Sequence, residues 1–303
     1  MTDLEPIENM PPSQSRIPDE EILRRSLAVF DEGFQSAAGF VGTCTGQKLI
    51  VCGGGPSLQD TLRDIKRQLK LSKKTKVMAL NKTHDWLVRR GIVPDFAVLI
   101  DPKEWCNKYI TPVKGCTYFI GAKAHPSVWR VFDGHPRVYH WHPWELPEEG
   151  EAIRALYPPP PGGYLLIPGQ STVGLRACPL AYEMGFESVE LHGLDSSSRR
   201  GMSHAYRKHD DAEIERYNPM KDNPDETVFV NGGERKYTCI RQMRAQIDQF
   251  KVMLAEFDAL ERAGGRVMDI KIAGTGALPY LAAAGYQLHV RDDWNANPSL
   301  MPL

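Results

Sequence analysis

The residues best suited to chemistry begin with three consecutive glycines. Lys48-Leu-Ile-Val-Cys52 is a short apolar run, followed directly by Gly53, Gly54, Gly55, Pro56 and Ser57. Leu58, Leu62, Ile65 and Leu69 then recur at helical spacing. The pattern predicts a strand, a glycine turn and a helix. Glycines carry no Cβ, so such a turn lets a ligand approach the backbone closely. The first turn of the following helix offers unpaired N–H groups and the positive end of its dipole, which suits a phosphate. Ser57, with Asp60 three residues on, has the form of a capping box.

Known glycine loops differ from this one. A Walker A loop ends in Gly-Lys-Ser/Thr, which is missing here. A dinucleotide fingerprint would place a third glycine where Leu58 stands and an acidic residue where Asn81 stands, so NAD is disfavoured. A plain tight turn in an α/β sheet uses the same glycines. Taken alone, the triplet leaves nucleotide loop and plain turn both open.

Acid–base candidates lie further along. Asp101 and Asp195 each follow an apolar run; Asp101 also reads as a helix cap and Asp195 as a brace for its own loop. His204 lies in a polar stretch; an imidazole titrates near neutral pH and suits removal of a proton from a hydroxyl. His204, His209, Asp210 and Asp211 show no metal-ligand spacing, so no metal site is expected there. His140-Trp141-His142 with Trp144 reads as aromatic packing beside a cleft, or as a surface that stacks a sugar or base.

These residues need a scaffold. Apolar runs at 77–80, 96–100, 117–120, 137–141, 188–192, 267–272 and 286–290 read as strands, and helical patterns at 20–34, 58–69, 84–90, 127–132, 174–184 and 239–262 alternate with them. Gly185 reads as a helix C-cap. Residues 142–169, rich in proline and glycine, read as loop, and 196–237 as a long polar connection. The alternation predicts an α/β, Rossmann-like fold: a mostly parallel sheet with helices on both faces. Ligands in such sheets sit beyond the carboxyl ends of the strands, which is where Gly53–Ser57, Asn81, Asp101 and Asp195 fall. Two segments are expected: residues 1–40 as a tail with an accessory helix, and 41–303 as one nucleotide-binding domain.

Composition narrows the partners. Charged residues make up 25% of the chain and the net charge is -1, so charge gives no pull toward nucleic acid or membrane. Nucleic acid stays open as an acceptor without support from charge. The six cysteines form no C-x-x-C pair and read as reduced core thiols. No signal peptide or long apolar span is evident, so a cytoplasmic protein is expected.

Several motifs recur together in one order: Gly53-Gly-Gly-Pro-Ser-Leu58, Asn81, Gly91-Ile-Val-Pro-Asp95 leading to Asp101, Gly169-Gln-Ser-Thr-Val-Gly174, Gly193-Leu-Asp195 and Ser203-His-Ala205. Over roughly residues 48–290 the chain resembles the 6-hydroxymethylpterin diphosphokinase MptE-like family, which includes bacterial motility accessory factor glycosyltransferases and bacteriophage members. It is more distantly similar to bacterial sialyltransferases. The resemblance implies a nucleotide-dependent transferase. Gly53, Gly54, Gly55, Pro56 and Ser57 would form the phosphate and ribose loop, and Asn81 a second nucleotide contact. Gln170, Ser171 and Thr172 would open a helix whose N-terminus holds a phosphate. Asp195 and His204 match the family's Gly-x-Asp and His-Ala, and would be catalytic with Asp101.

The third strand tip reads Ile100-Asp101-Pro102, where the archaeal pterin enzymes carry two acidic residues, so the carboxylate pair for Mg²⁺ is incomplete. Diphosphoryl transfer from ATP needs that metal. The expectation is therefore glycosyl transfer from a nucleotide-activated sugar to a hydroxyl acceptor. The alternatives are an ATP- and Mg²⁺-dependent diphosphotransferase and a non-catalytic nucleotide-binding protein.

Overall fold

A computed structural model of the chain describes residues 17–143, 147–159, 163–167, 169, 172–199, 202–206, 228–232, 235–239 and 241–283. In chain order the elements are α1 (Asp19–Asp31), β1 (Gln35–Ser36), β2 (Lys48–Cys52), α2 (Leu58–Leu71), β3 (Thr75–Leu80), α3 (Thr83–Val88), β4 (Phe96–Leu99) and β5 (Thr117–Gly121). There follow α4 (Pro126–Arg130), β6 (Val138–Pro143), α5 (Pro147–Leu156), β7 (Leu166–Ile167), α6 (Val173–Met184) and β8 (Ser188–His192). The last are β9 (Val228–Gly232), β10 (Arg235–Cys239), α7 (Arg241–Arg262), β11 (Asp269–Ala273) and α8 (Ala277–Ala283).

The sheet runs β1-β6-β5-β4-β3-β2-β8-β11, with β7 beside β6, and every pairing in it is parallel. From β2 the chain steps outward through β3, β4, β5 and β6, then returns to place β8 on the other side of β2. The order therefore reverses between β2 and β8, and the loops leaving those two strands diverge to open a crevice. Cys52 stands opposite Ala79 on one side and His192 on the other, so the strand tips end level.

β2 is apolar throughout because both of its faces are covered. Leu49 and Val51 pack with Leu175 and Cys178 of α6 and Phe250 of α7. Ile50 and Cys52 face the other way, onto Leu58 and Ile65 of α2 and Trp86 and Leu87 of α3. Each such buried aliphatic side chain contributes about 1.5–3 kcal/mol. All six cysteines are buried, and none takes part in a disulfide. Among the described residues no helix is long and apolar enough to cross a membrane.

Several local expectations are corrected. The proline-rich stretch contains α5 and β7, and Cys239 ends the strand β10 of an antiparallel hairpin with β9 instead of opening a helix. The accessory helix expected before residue 40 is present as α1, whose Val29 lies in a core cluster with Leu99 and Ile120, and β1 pairs with β6. The capping box at the start of α2 does not form, since Ser57 makes no side-chain cap bond to its helix. The strand expected at 286–290 lies outside the described residues. Gly185 ends α6 with φ of 97°, as its reading as a C-cap requires.

Candidate functional site

A cavity of about 220 Å³ opens at the reversal point, lined by Gly53–Gly55, Asn81, Thr172–Gly174, Gly193–Ser197, His204 and Tyr206 among others. Pro56 and Ser57 are buried behind this lining. The glycine turn is shaped first by the protein itself. Gly53 N–H donates to His192 O at 2.8 Å and Gly55 N–H to Gly193 O at 2.7 Å. Ser57 N–H donates to Asp195 Oδ2 at 2.7 Å, and Leu58 N–H to Gly55 O at 3.1 Å. Between 53 and 58, Gly54 alone has an amide hydrogen with no acceptor among the described residues. The loop therefore offers a ligand one N–H group, not a ring of them.

Asp195 explains where the others went. Its Oδ2 takes the Ser57 amide and its Oδ1 takes the Ser57 hydroxyl. The carboxyl group sits at the N-terminus of α2, where the helix dipole favours a negative charge. Burial pushes its pKa above the usual carboxylate range, although both Ser57 hydrogen bonds pull it down. A second glycine turn, between β11 and α8, closes over it. A Cβ on Gly276 would lie 2.4 Å from Asp195 Cβ, and one on Gly274 would overlap Ser57 Oγ. Leu278 N–H donates to Asp195 O at 3.0 Å, and Ala277 N–H to Ser197 Oγ at 3.0 Å. The expected acceptor-side carboxylate thus braces two loops. The Gly274-Thr275-Gly276 motif, at a strand tip, was the sequence signal for this closure.

Asn81 and Ser196 both line the cavity and have φ of 50° and 49°, the only positive φ values of non-glycine residues among the described ones. Left-handed backbone at such residues costs roughly 1–3 kcal/mol and clusters at functional sites. Asn81 Oδ1 is buried with no hydrogen-bond partner among the described residues. It is an acceptor that the described residues leave without a donor. On the opposite wall Thr172 caps α6: its Oγ1 accepts from Leu175 N–H at 3.4 Å and from Gln246 Nε2 at 3.3 Å. Gln246 also takes the Ser196 hydroxyl at 2.8 Å, which ties α7 to the strained loop. Gln170 and Ser171 lie outside the described residues, as do Trp144, His209, Asp210 and Asp211.

His204 belongs to an arm, residues 202–206, that lies over the glycine turn. Its Nδ1 is 2.8 Å from Ser203 Oγ. Ala205 N–H donates to Gly54 O at 2.8 Å, and Ala205 O accepts from Gln59 Nε2. The Tyr206 ring lies 5.5 Å from that of His204, with its hydroxyl 3.5 Å from Thr83 Oγ1. Burial pushes the Tyr206 phenol up to about 12, so it stays protonated. Gly54 is small because this arm needs the space: a Cβ there would meet Tyr206 OH at 2.6 Å and His204 Cδ2 at 2.9 Å.

Asp101 stands apart. It does not line the cavity, and its Oδ1 accepts from Lys103 N–H at 3.0 Å, at the start of a short 3₁₀ turn. Tyr206, Ser196 and Gln246 were not singled out from sequence as site residues, because no local pattern marks a side chain whose role depends on distant partners.

A parallel sheet whose strand order reverses beside a polar cavity defines a Rossmann-like α/β protein. More narrowly, the chain belongs to the 6-hydroxymethylpterin diphosphokinase MptE-like family, whose model matches residues 24–201, more than half of its length. The match starts within α1, earlier than the motifs suggested, and ends three residues before His204. Among solved structures, the MAf glycosyltransferase from Magnetospirillum magneticum AMB-1 shares the fold with a TM-score of 0.53 and 16% identity, over 88% of this chain. This chain spans 40% of that protein's length. No curated protein sequence matches it.

Proposed function

We propose that the protein is a transferase that binds a nucleotide-activated sugar in the cavity and passes the sugar to a hydroxyl acceptor, with His204 as the base. One observation carries this reading. Gly54, Asn81, Thr172 and His204 come from four separate stretches of chain and meet around a single cavity at the sheet's reversal point. Asn81 Oδ1 suits a donor group of the nucleotide, and Gly54 N–H with the start of α6 suits its phosphate. The names of the family and of the MAf glycosyltransferase support a transferase. In the reaction the acceptor oxygen bonds to the sugar's anomeric carbon while the bond to phosphate breaks. The phosphate leaves with the electron pair and the hydroxyl proton passes to His204. A positioned base of this kind contributes about 100- to 10,000-fold in rate.

The family's description favours a second reading, diphosphoryl transfer from ATP. Magnesium would have to bridge the phosphates there. The residues do not fit it well: Asp195 gives its oxygens to Ser57, Asp101 lies outside the lining, and the described residues contain no metal-ligating cluster. Thermal-shift titration with CMP, UDP, GDP and ATP, with and without Mg²⁺, separates the readings. A ligand at 100 times its Kd adds about 2.7 kcal/mol. Stabilisation by a pyrimidine or guanine nucleotide, with release of that nucleotide from its sugar conjugate, supports glycosyl transfer. Conversion of ATP to AMP with Mg²⁺ overturns it, and stabilisation without turnover makes the protein a non-catalytic binder.

A further inference from the structure

We infer that Gln59, on the first turn of α2, is a positioning residue for His204, so that the turn facing the donor also sets the base. The inference rests on His204 acting in the proposed transfer. Ala205, next to His204, is buried within the core cluster of Ile50, Cys52 and Leu58. Its peptide groups are satisfied twice from one place: Gly54 O takes its N–H at 2.8 Å, and Gln59 Nε2 donates to its C=O. The two partners lie on the β2–α2 turn and on the first turn of α2. A third tie joins the same parts, as Arg199 Nη1 pairs with Asp60 Oδ2 at 2.5 Å next to the Arg199–Met202 bridge.

The three ties differ in weight. The Arg199–Asp60 pair is exposed on both sides, and such pairs contribute little. The Gly54–Ala205 bond is backbone to backbone and survives most substitutions. Among the described residues Gln59 supplies the one side-chain donor to the carbonyl of buried Ala205. Without it that carbonyl is left unsatisfied, and the arm relieves this by turning the peptide toward water. That peptide carries the Tyr206 ring, which packs 5.5 Å from the His204 ring, so the His204 ring shifts with it. Gln59 is itself exposed and outside the core, so the fold does not depend on it.

The test uses the full chain with Gln59→Glu, which keeps the shape but accepts where glutamine donates, and Gln59→Met, which keeps the length without a donor. The first readout is the set of histidine ring resonances by NMR, with the His204 signals identified by their loss in His204→Ala. In both variants the His204 signals move toward those of a mobile, solvated ring while the other histidines and the melting temperature hold. The second readout is nucleotide release from a nucleotide-sugar. Turnover falls about tenfold, the size expected when a buried carbonyl loses its donor, and the donor KM changes less than about twofold. Unmoved His204 signals in a folded variant overturn the inference. Normal turnover in His204→Ala overturns the base reading instead, and leaves the NMR result to judge the tether alone.

Discussion

The carboxyl edge of the sheet has two polar ends that are built in opposite ways. At the β2–β8 end glycines and short side chains leave a cavity, and strained backbone at Asn81 and Ser196 faces it. At the β5–β6 end Lys123, His140, His142 and Glu149 are all buried under α1 and α5. There Phe30 stacks on His142 at 5.3 Å and on Tyr157 at 4.5 Å, and His142 Nδ1 approaches Glu149 Oε1 at 3.5 Å. Burial, helped by His142, pushes His140 down to about 3, so it is neutral at physiological pH. Polar residues at strand tips are thus common to both ends. What opens a cavity at one of them is the space left by small residues and the loops that diverge around it.

The comparison breaks most severely if the glycines are dispensable. Gly193 has φ of 66°, and a Cβ on it would lie 2.5 Å from Gly53 O. Gly193→Val should cost about 3 kcal/mol or more and yield little folded protein, measured by soluble expression and thermal melting. A normal melting temperature would show that the two turns do not need close contact. His204→Ala comes next, with turnover falling about 100-fold or more at nearly unchanged nucleotide affinity. Unchanged turnover would return the base role to a carboxylate.

The closed end predicts a stability effect without a functional one. Unfolded histidine titrates near 6.5 and folded His140 near 3. Between these values the unfolded chain binds more protons, so the stability present above pH 6.5 is lost as pH falls. Over pH 6.5 to 5 the loss from His140 is about 2 kcal/mol, and His140→Gln should flatten denaturation midpoints over that window. An equally steep profile in the variant would mean that another group drives the acid response.

Asn81→Gly sharpens the contrast from the open end. Glycine accepts positive φ freely, so the variant should gain about 0.5–1 kcal/mol in melting experiments while nucleotide affinity falls several-fold. Loss of both would make Asn81 a structural residue. The smallest effect belongs to Asp101→Asn, which should alter turnover by less than about threefold, because this carboxylate holds Lys103 N–H within its own loop and does not line the cavity. A drop as large as that of His204→Ala would extend the site to β4 and revive a metal-assisted transfer.

The sequence by itself determined the parallel α/β architecture, most strand positions, the glycine turn after β2 and the Gly185 cap. Each depends on residues within a few positions of one another: an apolar run buried on both faces, a 3.6-residue stripe, a glycine needed for left-handed backbone. Ser57 shows the limit of such reading. Its local pattern with Asp60 indicated a cap, yet its partner is Asp195, 138 residues away. The buried carboxylate at the end of α2 competes for both Ser57 donors, and only the folding of β8 beside β2 brings it there. Asp101 looked equivalent to Asp195 in sequence, since both follow strands. The strand order separates them, placing β8 at the reversal point and β4 two strands away from β2. Tyr206 and Gln59 acquire roles only when the arm closes on the glycine turn. α5 was missed in a proline-rich stretch because only its contact with α1 gives its sparse apolar residues a face to cover. Periodicity follows from neighbours in the chain. Which polar group satisfies which buried partner is settled by the topology, because that alone decides what is close enough to replace water.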